Sequence, residues 1–262
     1  MARPANYVRP IQLSLTVLRD AGIDSFPVSL KIILRHYGIR LLSYEDFCKE
    51  FHCTMETCFA YLGRDGATIE KNGRYLVVYN KHATPQDRKR FTIAHELGHI
   101  FHGHHEELGV HTLRRLWVEK SLYEVMEDEA NCFARNLLCP AIAVQIVLRD
   151  HGFVYSEFDE SQQRNVWWKV SNARCLPDLP KNLTDYFLVR QSFMVTDAAA
   201  KTRCHFLRED LRNTSMEGAE NILNRMRYTA QWLQSSGNFW KTGSGPAREG
   251  GKYGRGQSLR NT

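Results

Sequence analysis

No stretch of this sequence approaches the roughly 18 consecutive apolar residues that a membrane-spanning helix needs, which removes an integral membrane helix from the expectations. The apolar segment from Ile11 to Leu18 is broken by Gln12, Ser14 and Thr16 and ends at Arg19-Asp20 with no small-residue cleavage site after it, so it does not read as a secretory signal. The seven cysteines are an odd number, which argues against a secreted disulfide framework and for reduced thiols in a cytoplasmic protein. Nor is there a block of basic residues: the formal charge of +6 is spread along the chain, so direct nucleic-acid binding has only weak support. No internal repeat is present. What remains, with 43% hydrophobic and 24% charged residues, is an ordinary soluble globular composition.

Helical spacing of apolar residues over about residues 8 to 60 predicts one or two helices, with Gly38 as a stop. A short strand over Ile39 to Leu42 and a helix over Tyr44 to Phe51 capped by Ser43 follow. Thr68-Ile69-Glu70, the Asn72-Gly73 turn and Tyr75 to Tyr79 predict a β-hairpin, because Asn-Gly supplies the positive φ values that a tight hairpin turn requires. Thr84-Pro85-Gln86-Asp87 is a helix start, opening a helix from Pro85 to His102 that Gly103 ends. A second helix over Leu122 to Leu138 presents Leu122, Val125, Met126, Ala130, Phe133, Ala134 and Leu137 on one face and stops before Pro140. Beyond residue 150 the pattern weakens, with an aromatic-rich stretch to Pro180 and helical patterns beginning at Leu183, Thr196 and Ala219. Residues 151–235 read as a mainly helical region, and 236–262, glycine-rich and basic, as a disordered tail.

The chemistry gathers on the first of the two long helices. His95 and His99 are four residues apart, so on a helix they project from one face about a turn apart and suit a single zinc ion. Glu96, next to His95, is placed to take a proton from a metal-bound water. A third ligand is needed, and the second helix offers Glu124, Glu127, Asp128 and Glu129. Glu127 is favoured because it lies beside the small residues Ala130 and Ala134, where another helix approaches closely, whereas Glu129 points about 200° away by helical geometry. Asn131, one turn after Glu127, is positioned to hydrogen-bond the second ring nitrogen of a ligating histidine. His102, His104, His105 and His111 read as solvated side chains, and Tyr75 and Tyr79 as residues of a strand that a substrate would lie beside. Cys48, Cys53 and Cys58, five residues apart with His52 among them, match no common zinc knuckle and read as buried apolar cysteines.

The segment Arg90-Phe91-Thr92-Ile93-Ala94-His95-Glu96-Leu97-Gly98-His99-Ile100, with Glu127, Ala130-Asn131, Phe133-Ala134, Leu137-Leu138 and Pro140 in order, resembles the ImmA/IrrE family of zinc metallopeptidases over about residues 20 to 150. The resemblance implies zinc held by His95, His99 and Glu127 and catalysis by Glu96. It implies an α+β, zincin-like core over residues 1–150: a small sheet packed on the helix with both histidines and on a second ligand-bearing helix, followed by the helical appendage. It further implies cleavage of a helix-turn-helix repressor that silences mobile-element or stress-response genes. Cys139 stands where the family usually has methionine, a packing change, and no N-terminal helix-turn-helix of the kind often fused to such peptidases is evident. The alternative is a zinc-containing regulator that binds a repressor or DNA without proteolysis.

Overall fold

The computed structural model describes residues 6–23, 25–83, 86–113, 118–150, 153–159, 164–169 and 185–215, with single positions at 220, 222 and 224. Two helices lead the chain, α1 (Val8–Asp20) and α2 (Leu30–His36), and Gly38 at φ +65° turns it into strand β1 (Arg40–Ser43). Ser43 closes β1 and starts helix α3 (Tyr44–Phe51), its hydroxyl accepting the Asp46 N–H at 3.1 Å. A further short helix, α4 (Met55–Leu62), has Thr54 as its cap and closes the stretch read as helical.

The expected hairpin forms from β2 (Gly66–Lys71) and β3 (Arg74–Tyr79), with Asn72 at φ 54° and Gly73 at φ 72° in the turn. β1 joins the other side of β3 in parallel, pairing Leu41 with Val77, so the sheet order is β1-β3-β2. Tyr75 to Tyr79 is therefore the central strand, and the expectation that substrate lies beside it is corrected: the pairing of β1 with β3, distant in sequence, leaves β2 at the edge.

Helix α5 (Gln86–His102) packs between this sheet and helix α7 (Lys120–Leu138), and the short helix α6 (His104–Leu108) follows Gly103, whose φ of 74° reverses the chain. The proposed cap at Thr84-Pro85 lies outside the described residues. Ile93, Ala94 and Leu97 of α5 and Ala130, Phe133, Ala134 and Leu137 of α7 are buried in one core with residues of α1 and α2. Burial of each large apolar side chain contributes about 1.5–3 kcal/mol. Gly98 sets the closeness of the two long helices: a Cβ there would lie 2.9 Å from the Ala130 Cα.

After Pro140, helix α8 (Ala141–Asp150) and a two-stranded hairpin of β4 (Phe153–Asp159) and β5 (Arg164–Lys169) precede helices α9 (Asp185–Phe193) and α10 (Asp197–Arg212). The region read as mainly helical thus opens with β structure. Leu188, Val189 and Phe193 of α9 and Ala200, Cys204 and Leu207 of α10 belong to the same core as α5 and α7. A buried ion cluster ties α10 to α7: Asp210 accepts from Arg203 at 2.5 Å, from Asn136 at 3.0 Å and from Arg135 at 3.1 Å. Cys139 is buried at the end of α7, and its carbonyl accepts from Arg203 at 3.3 Å, in keeping with a packing role. The glycine-rich tail and nearly all of the helix expected from Ala219 fall outside the described residues. No single helix among the described residues is long and apolar enough to cross a membrane.

Candidate metal centre and cleft

Residues of α5 and α7 meet at the mouth of a cleft of about 550 Å³ lined by Gly66, Thr68, His95, Glu96, His99 and Glu127, among others. The Nε2 atoms of His95 and His99 lie 3.0 Å apart, and each is 3.4 Å from an oxygen of Glu127. For zinc bonded at about 2.0–2.1 Å in a tetrahedron, neighbouring ligand atoms stand about 3.3 Å apart, so this triangle has the dimensions of a metal site. Glu129, two residues on, is not part of it.

The tautomers support the same reading. Asn131 Oδ1 lies 3.0 Å from His95 Nδ1 and is the acceptor for its proton, which leaves the Nε2 lone pair facing the triangle. His99 Nδ1 lies 2.8 Å from His104 Nδ1, and His104 Nε2 lies 3.2 Å from Glu129 Oε2. With the carboxylate accepting from His104 Nε2–H, His104 Nδ1 accepts from His99 Nδ1–H, and His99 Nε2 presents its lone pair as well. Two lone pairs and a carboxylate oxygen directed at one point form a cation's donor set.

Electrostatics agree. Burial would raise the Glu127 carboxyl, but hydrogen bonds from His95 and His99 hold it far below the usual carboxylate range. Burial would lower His95, yet Glu127 and Glu96 raise it, whereas burial and the neighbouring His95 push His99 down to about 3. Glu96 is buried, which raises its pKa, and its Oε2 accepts from the Thr68 hydroxyl at 2.9 Å.

Two features went unread in the sequence. Thr68 fixes the Glu96 carboxylate from β2, and only the fold brings that strand against α5. His102, His104 and His105, expected to be solvated, are buried at 5%, 0% and 2% exposure. The left-handed Gly103 folds His104 back beneath His99, and Glu129, on the far side of α7 from Glu127, reaches it there. His102, His104 and Glu129 cluster closely, but both ring nitrogens of His104 already serve His99 and Glu129, so this tier supports the upper site. His111 is exposed, as expected, and meets Glu70 at 3.1 Å. Tyr75 and Tyr79 do not line the cleft; Tyr75 packs edge-on against His105 and donates to Glu106.

The β2 edge of the sheet borders the cleft, with Thr68 itself buried there at 2% exposure. The Glu70 N–H donates to the His111 carbonyl at 2.8 Å, so the main chain of Glu70 faces away from β3. By alternation along the strand, the N–H and C=O of Thr68 and Gly66 face the same way, and no further strand takes them among the described residues. An extended chain laid along Gly66–Thr68 would pass beside Glu96.

Residues 42–158 match the family model Peptidase_M78, described as the IrrE N-terminal-like domain. The match begins in β1 and ends in β4, and it contains all four of His95, Glu96, His99 and Glu127. No curated protein matches the chain.

Proposed function

We propose, from the match of residues 42–158 to the IrrE N-terminal-like domain model, that this chain is a zinc-dependent endopeptidase with a zincin-like core, whose substrate is a helix-turn-helix transcriptional repressor. The observation that carries the metal and its chemistry is the triangle of His95 Nε2, His99 Nε2 and a Glu127 carboxylate, with edges of 3.0, 3.4 and 3.4 Å, beside a buried Glu96. The substrate class rests on the family resemblance. With it go a role in relieving transcriptional repression and a cytoplasmic location.

His95, His99 and Glu127 would hold the ion, with Asn131 and His104 fixing the two rings. Bound there, zinc supplies a Lewis acid that polarises the scissile carbonyl and brings the pKa of a water towards about 7. Glu96 takes the proton of the attacking water and returns it to the leaving amine nitrogen. The Thr68 hydroxyl orients the Glu96 carboxylate for both transfers. Gly66 and Thr68 supply main-chain pairing that holds the substrate extended, the mode in which an added strand gains affinity from its backbone.

The test is incubation of the zinc-loaded chain with a repressor encoded beside its gene, followed by mass spectrometry of the products. The expected outcome is a defined cut that Glu96→Gln abolishes while zinc content is retained. Undiminished cleavage by Glu96→Gln would remove Glu96 from the mechanism and sink the proposal.

A further inference from the structure

Away from the cleft, a second group of metal-binding side chains converges where α3 gives way to α4. His52, at φ 52°, ends α3 in the left-handed conformation, and the Cys53 N–H caps it by donating to the Cys48 carbonyl at 3.1 Å. Thr54 then starts α4, so the chain doubles back within a few residues. This reversal puts Cys48 from the end of α3, Cys53 from the connection and Cys58 from α4 side by side. Cys58 Sγ lies 3.2 Å from Cys48 Sγ and 3.5 Å from Cys53 Sγ, and Met55 Sδ lies 3.6 Å from Cys48 Sγ.

The geometry points to a second metal site, in which Cys48, Cys53 and Cys58 bind a thiophilic closed-shell cation, Zn²⁺ or Cu⁺, with Met55 at its edge. Four sulfur atoms from one short stretch approach one another at the edge of the small apolar cluster around Tyr44 and Leu62. In a tetrahedral zinc thiolate, neighbouring sulfurs stand about 3.8 Å apart, given bonds of about 2.3 Å, and the thiols here require only small outward shifts to reach that spacing. Cys58 is buried, whereas Cys48 and Cys53 are half-buried, so an ion has an entrance. On binding, each thiol that becomes a ligand releases its proton to solvent. One turn after Cys58, Leu62 begins the run through Gly66 that forms one wall of the catalytic cleft, so a cation here would pin that wall to α3.

The test uses the full-length chain, reduced and freed of metal, with iodoacetamide labelling read peptide by peptide. Addition of Zn²⁺, or of Cu⁺ under anaerobic conditions, should slow labelling of Cys48, Cys53 and Cys58 at least tenfold. The buried Cys204 of α10 should not change, and the protection should persist in His95→Ala/His99→Ala, so that zinc at the first site does not account for it. Protection by only one of the two ions identifies the resident cation. In parallel, titration with Co²⁺ should produce a thiolate charge-transfer band in the wild-type chain that is absent from Cys48→Ser/Cys53→Ser. Labelling rates unaffected by either ion would overturn the proposal, and so would a Co²⁺ spectrum unchanged by the double substitution. The labelling needs no cysteine substitution, so misfolding of Cys48→Ser/Cys53→Ser would not shelter the idea.

Discussion

Gly98→Ala tests whether the contact between the two ligand helices sets the metal site. The added methyl would lie 2.9 Å from the Ala130 Cα, 3.0 Å from its carbonyl oxygen and 3.2 Å from its Cβ. The first two are backbone atoms, so no rotamer change relieves them. Restoring ordinary contact at 3.4 Å moves α5 and α7 apart by about 0.5 Å. That exceeds the tolerance of about 0.2 Å on metal–ligand distances, and the motion draws Glu127 away from His95 and His99. Overpacking of this kind destabilises by about 1–3 kcal/mol, while replacing a mid-helix glycine by alanine stabilises by about 1 kcal/mol. The metal-free chain should therefore lose no more than about 2 kcal/mol in urea denaturation, while zinc affinity in a chelator competition falls at least tenfold. Adding Ala130→Gly removes only the Cβ contact and should restore affinity in part. Zinc affinity within twofold of wild type, in a chain of unchanged or higher stability, would refute the claim that this contact sets the ligand geometry.

Two further outcomes follow from the surroundings of the site. Asn131→Ala and Glu129→Gln each disturb the support of one histidine, the first directly and the second through His104, and each should weaken zinc binding by about 10–100-fold, measured by the same competition, with the fold intact by circular dichroism. Asp210 is held below its ordinary pKa of 3.8 because Arg203 and Arg135 outweigh the opposing effect of burial, so its contribution to stability is complete above about pH 4 and is lost as pH falls through the lower folded value. Asp210→Asn should remove that acid-sensitive component and cost about 3–5 kcal/mol at neutral pH by leaving Arg203 buried beside an uncharged partner, a loss that urea titrations at pH 3 and pH 7 would separate.

Much of this architecture was legible because its signals are local. Ser43 caps α3, Asn72-Gly73 makes the hairpin turn, and the apolar stripe of α7 runs to the helix end just before Pro140, each within a few residues of the element it specifies. The triangle was legible because His95 and His99 share one helix and Glu127 has small neighbours on the next. What escaped depends on contacts between distant segments. The parallel pairing of β1 with β3 spans two helices and a strand, and it decides that β3 is not an edge. The direction of the chain after Gly103 decides whether His104 meets water or His99, and helical periodicity ends at that glycine. Reading Glu129 as pointing away from the site was right about phase, yet the far side of α7 is where His104 arrives.

The outward-facing main-chain groups of Gly66 and Thr68, which no strand takes among the described residues, impose a condition on any segment that is to pair with them. A helix spends its amides and carbonyls on itself and has none to offer an edge, so a target segment has to unwind before it fits. Susceptibility would then follow the local opening free energy of the target as much as the residues flanking the cut. A repressor domain that frays when it leaves DNA or its dimer partner would become a substrate at that moment, and the same domain locked in its complex would be spared.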